Sequence, residues 1–181
     1  MYYCPHMYQH QYQNYSNAPM YNYVRQTGYS SNINNNYAYQ TSFLHPSRQN
    51  NLKDFGPNPF VVNINEVTKK NDTFRTALWT GNNLQVTLMS INVGEDIGLE
   101  KHPNLDQFLR IEQGKGIVQM GKNKEILNYV RDVYDDFSIL IPAGTWHNLT
   151  NTGNVPLKLY SIYAPPQHPR GTVHVTKSDA R

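Results

Sequence analysis

The feature that most restricts the fold of this chain is a series of short apolar alternations, each ended by turn residues, running over residues 60 to 163. The stretches PFVVNI (59 to 64), FRTALW (74 to 79), LQVTLMSINV (84 to 93), QFLRIE (107 to 112), GIVQMG (116 to 121), the segment 126 to 134, FSILIP (137 to 142) and PLKLYSIY (156 to 163) each read as a strand. A period of two suits a surface buried on one face only. Between them stand Gly81-Asn82, Gly94, Gly98, Gly114, Gly121-Lys122-Asn123, Gly144 and Thr152-Gly153-Asn154, residues that supply turn conformations. No amphipathic helix interrupts the series, and only residues 65 to 70 offer a short turn. Many short strands at nearly even spacing predict an all-β domain, a sandwich or a barrel.

The rest of the 181 residues differ in kind. Ten of the fourteen tyrosines lie in residues 2 to 39, and the only charged side chain in residues 1 to 47 is Arg25. Residues 1 to 52 consist largely of Tyr, Asn, Gln, Ser and His, broken by Pro5, Pro19 and Pro46. Such a segment buries too little apolar surface to offset its ordering entropy, so a disordered extension is expected there, followed by the β domain over 53 to 181. The second part is large enough for one core. The tract NINNN (32 to 36) and the interleaved tyrosines suit self-association or cross-linking. In composition the extension resembles those of bacterial spore-coat proteins.

Charge and cysteine usage narrow the partners. The net charge of +3 comes from residues scattered through Lys69, Lys70, Arg75, Lys122, Lys124, Arg170 and Lys177. No basic stripe marks a nucleic-acid partner. Cys4 is the only cysteine, so no intrachain disulfide forms, and it reads as a spectator thiol. The start MYYCPHMYQHQYQ lacks the basic and apolar regions of a secretory signal, and no apolar run reaches membrane-spanning length. A soluble protein is expected, in the cytoplasm or at a spore surface.

One constellation carries chemistry. Glu100 and His102 are two apart on an extended segment and so share a face. After the turn Pro103-Asn104-Leu105, an antiparallel return is predicted to set Gln107 near His102. His147 follows Pro142-Ala143-Gly144-Thr145, a turn whose proline and glycine fix an unusual backbone path and aim the imidazole. Arg110 and Trp146 are one residue out of phase with Gln107 and His147, which places them on the outer face. Tyr160 and Tyr163 read as packing residues, with either able to serve as a pocket acid.

Glu100-x-His102, then Gln107, then Gly114 resembles the first motif of the single-domain cupins, and Pro142-x-Gly144-x-x-His147-x-x-x-Asn151 matches the second without a gap. The chain departs from the family pattern in having Glu100 for the first His, Gln107 for the Glu and Asp136 for the opening Gly. The resemblance implies a jelly-roll barrel, that is, a double-stranded β-helix, with one divalent metal on Glu100, His102, Gln107 and His147. It also implies a small-molecule substrate or sugar and a homodimer paired through edge strands. Two imidazoles, a carboxylate and an amide suit iron(II), with manganese, nickel and zinc also able to bind. Glu100 is a candidate base as well as a ligand. A dioxygenase- or isomerase-like enzyme is one expectation; a structural or sugar-binding barrel of a spore coat is the other. The tail with His168 and His174 is expected either as an edge strand or in solvent.

Overall fold

The structure, a computed structural model, describes residues 53–180; the extension read over 1 to 52 lies outside them. In chain order these residues form helix α1 (Ile64–Lys70), then strands β1 (Arg75–Thr80), β2 (Gln85–Ile91), β3 (Glu100–Lys101), β4 (Asp106–Gln113) and β5 (Lys115–Gly121). They continue with β6 (Tyr129–Tyr134), β7 (Ser138–Ile141), β8 (Trp146–Asn151), β9 (Leu157–Ala164) and β10 (Val173–His174), and end in a 3-10 turn, Lys177–Ala180. A six-stranded sheet, β10-β1-β2-β9-β4-β7, packs on a four-stranded sheet, β3-β8-β5-β6, and adjacent strands are antiparallel. This is the all-β domain expected from the alternations, in the jelly-roll form that the resemblance implies.

Register explains where the core ends and the site begins. Across β2, β9 and β4 the inner row Met89, Leu159 and Ile111 is apolar, the next row is Thr87, Ser161 and Leu109, and the next is Gln85, Tyr163 and Gln107. One end of the barrel is therefore filled by Ile91, Ile111, Leu149, Leu157 and Leu159, none more than 1% exposed. Each such side chain contributes about 1.5–3 kcal/mol by leaving water. The other end is lined by polar groups.

The first segment, 59 to 64, is not a strand. Val61 is 98% exposed, so its alternation has no sheet to join. Asn63 instead caps α1, accepting from the Glu66 amide at 3.3 Å while its Nδ2 donates to Glu66 Oε1 at 3.1 Å. This reciprocal capping pair starts a helix where only a turn was expected. Strand β8 escapes the alternation rule for the opposite reason, because WHNLTN is mostly polar on both faces. The C-terminal tail docks on its own barrel, with His174 opposite Arg75 and Val173 opposite Thr76. Among the described residues no helix is long and apolar enough to cross a membrane.

Candidate metal centre

Glu100 of β3 lies directly opposite His147 of β8, and His147 in turn opposes Met120 of β5. In β8 burial alternates, and His147, Leu149 and Asn151 are the inward set. His102 follows β3 by one residue and is also buried. The turn before β8 is closed by Thr145 N to Pro142 O at 3.1 Å, with Gly144 at φ +77, a region that favours glycine. Gly144 donates its amide to the His102 carbonyl at 2.8 Å, and Ala143 donates to Asp106 Oδ1 at 2.9 Å.

These contacts gather three donors. Glu100 Oε1 is 3.4 Å from His102 Nε2 and 3.3 Å from His147 Nε2, and the imidazole centroids are 5.5 Å apart. One ligating atom from each of the three residues lies within 4.8 Å of the others, close enough to share one ion. His147 Nδ1 faces the Thr145 carbonyl at 3.0 Å; donating there leaves Nε2 with its lone pair toward Glu100.

Gln107 arrives by another route than expected. The antiparallel return does not form, because β3 belongs to the four-stranded sheet and β4 to the six-stranded one. Residues 103 to 105 cross between the sheets, so Gln107 sits in the wall opposite β3 and β8. It is paired there with Tyr163, whose ring meets His102 edge-on at 5.7 Å. Its Nε2 donates to Ser161 Oγ at 3.1 Å, which leaves Oε1 without a partner.

The residues present fit a divalent metal. Glu100 Oε1, His102 Nε2, Gln107 Oε1 and His147 Nε2 are all buried without a hydrogen-bond partner. Buried polar atoms are ordinarily satisfied. All four are lone-pair donors of the kinds that iron, manganese, nickel or zinc accept.

Electrostatics sharpen the picture. Burial pushes the Glu100 carboxyl up, but the imidazoles of His102 and His147 together outweigh it and hold the pKa at about 2. Burial raises the Tyr163 hydroxyl, with Arg75 opposing and Glu100 reinforcing, so the phenol keeps its proton. Burial also lowers His168 to about 4, helped by the Arg75 charge. His168 closes this end of the barrel, its ring 5.1 Å from that of Tyr163 and its amide bonded to Gln85 Oε1.

The out-of-phase residues are outside, as alternation requires. Arg110 pairs with Glu112 and Asp136, and Trp146 lies under Lys101 and Lys124. Tyr160 packs on Phe108, while Tyr163 is fully buried with its hydroxyl unpartnered. Two surface concavities, one lined by Lys122, Asn123, Ile126 and Asn128 and the other by Phe60, Val62, Ile64, Leu78, Trp79 and Val86, share no residue with the Glu/His cluster. Sequence reasoning passed over Arg75 at this end of the barrel; the available signal was a charged residue at an inward phase inside FRTALW.

Comparison with known proteins agrees with this geometry. The family model described as a cupin domain matches residues 87–163. An uncharacterized protein of Bacillus subtilis (strain 168), YrkC, is 60% identical over 183 residues, covering 99% of this chain and 97% of that protein. The uncharacterized protein L612 of Acanthamoeba polyphaga mimivirus is 43% identical over 119 residues, 65% of this chain and 72% of that protein. The crystal structure of BH2720 from Bacillus halodurans is 70% identical and covers 71% of this chain and 97% of its own, with a TM-score of 0.70.

Proposed function

The chain belongs to the cupin family, and from that premise we propose that it holds one divalent metal ion and acts as a metal-dependent enzyme, dioxygenase- or isomerase-like, on a small oxygenated molecule. The observation that carries this reading is the set of four buried, unpartnered donor atoms on Glu100, His102, Gln107 and His147. These residues would hold the ion. When bound, a divalent metal supplies Lewis-acid polarisation of a carbonyl or enol oxygen.

The protein's own groups do the rest. Water is kept from the reacting end because His147 is 1%, Gln107 3% and Tyr163 0% exposed. Ser161 and the Thr145 carbonyl orient Gln107 and His147 from behind. Glu100 is the most accessible of the four, its side chain 26% exposed, so an incoming molecule meets it first. Held ionised by the two imidazoles, Glu100 serves as a ligand and only as a weak base, while the Tyr163 phenol can donate a proton to an oxygen of that molecule.

Elemental mass spectrometry on untagged protein tests the reading. Close to one equivalent of iron, manganese, nickel or zinc is expected, lost in both Glu100→Ala and His147→Ala. Variants that retain as much metal as the parent overturn it.

A further inference from the structure

Arg75 is the least explained charge in the barrel. It is 4% exposed, and among the described residues no carboxylate pairs with it. Its Nη2 meets the Met89 sulfur at 3.9 Å, its guanidinium lies 5.5 Å from the Phe74 ring and reaches the Tyr163 hydroxyl, and its Nε is buried without a partner. A guanidinium does not neutralise itself by losing a proton, so burying it this way is costly unless an anion completes the site.

Its position says where that anion belongs. Arg75 stands opposite Met89, in the apolar row, and opposite His174, and its side chain reaches from there to the Tyr163 hydroxyl. Its charge acts on the Tyr163 hydroxyl, on His168 and on His174, the residues that line the polar end beside His102. Two further polar atoms without a hydrogen bond, His168 Nε2 and His174 Nδ1, belong to residues its charge acts on. The metal reading uses Tyr163 as a proton donor and leaves Arg75, His168 and His174 without a role.

We propose that Arg75, with Tyr163, binds the carboxylate of a small monocarboxylic substrate at the same end of the barrel as the Glu/His cluster. The inference rests on the metal-centre reading for the reaction but not for the anchoring itself. The Nε edge of a guanidinium offers parallel donors that match two oxygens of one anion. A carboxylate fits better than a phosphate because one buried positive charge balances one negative charge rather than two.

The test uses the full chain, metal-loaded and chelator-stripped, with pyruvate and lactate as probes against pyruvamide, lactamide and inorganic phosphate, and reads Kd by ligand-observed NMR. The two carboxylates should bind at least tenfold more tightly than their amides and than phosphate. Arg75→Met should weaken them at least tenfold while keeping the parent's metal content. It should also melt at or above the parent temperature without ligand, because an unpaired buried charge has been removed. A folded Arg75→Met that binds the carboxylates like the parent overturns the proposal, as does tighter binding of phosphate. If Arg75→Met does not fold, Arg75→Lys and Tyr163→Phe carry the test, and unchanged affinity in both overturns it. Arg75-dependent carboxylate binding in a chain that takes up no metal would sink the metal reading and leave this one standing. Metal uptake with no carboxylate binding does the reverse.

Discussion

Gly144 donates its amide to the carbonyl of His102 at 2.8 Å, tying the turn that precedes one imidazole to the backbone of the other. An added Cβ at Gly144 meets nothing within 4 Å, so Gly144→Ala suffers only the strain of its positive φ. That strain costs about 1–2 kcal/mol, so the melting temperature should fall by several degrees with metal retained. Gly144→Pro removes the donor and, with φ locked at about −65°, also forces the turn out of its conformation, so metal affinity should fall at least roughly tenfold. Chelator competition on the two variants separates these outcomes; parent-like affinity in Gly144→Pro would show that the bond does not position His102.

Asn151 closes the same motif as His147 but does different work. It is 1% exposed, its Nδ2 donates to the carbonyls of Ile91 and Val155 at 2.9 Å each, and its Oδ1 accepts from the Gly153 amide at 2.9 Å. Asn151→Ala should lower stability by about 3 kcal/mol, near 1 kcal/mol per lost bond. Urea unfolding measures the loss, while metal per folded chain should match the parent. A stable variant without metal would move Asn151 into the metal site.

How far the fold was legible follows from which physical signal each element carries. Strands β2, β4 and β9 could be read because each is a short run rich in apolar, β-branched and aromatic residues bounded by turn residues, and that signal survives in one dimension. Helix α1 could not be read from the alternation in FVVNI, although the Asn63–Glu66 capping pair was there to be weighed against it. Glu100, His102 and His147 stood out by spacing. The route of Gln107 did not, since local hairpin geometry says nothing about a chain crossing between sheets. Arg75 could not be picked out because its meaning lies in what is absent around it, and only the packed barrel shows that no acid reaches it. Asp136 was legible as a departure from glycine, and its φ of 71 shows the backbone still takes the conformation a glycine would favour.

His168, which is not among the proposed ligands, gives the barrel a pH dependence. Its folded-state pKa is depressed by burial and by Arg75 to about 4, below the ordinary histidine value of 6.5. Between these two values the unfolded chain binds a proton that the folded chain refuses, so stability rises with pH through this window. The contribution is complete above 6.5 and is lost as pH falls toward 4. Thermal melts of metal-free protein should show this slope, and His168→Asn should flatten it. An identical slope in the variant would assign the effect to other groups.

The division near residue 52 is a proposal that the barrel's own N-terminal edge makes testable. Asp54 Oδ1 accepts from the Gly56 and Thr80 amides at 3.0 and 2.9 Å, and Oδ2 accepts from Thr80 Oγ1 at 2.5 Å and the Gly171 amide at 3.0 Å. One carboxylate thus joins the start of the domain to β1 and to the C-terminal tail. Phe55 then donates to the Leu78 carbonyl at 2.9 Å, and the Trp79 indole donates to Asn58 O at 2.8 Å. A chain starting at Lys53 keeps all of these bonds, so it should melt at the same temperature as the full chain and bind the same metal equivalent. Asp54→Ala should destabilise either form by about 1–2 kcal/mol, less than the sum of its bonds because the site is partly solvated. A truncated chain melting several degrees lower, with Asp54 intact, would show that residues 1 to 52 belong to the folded unit.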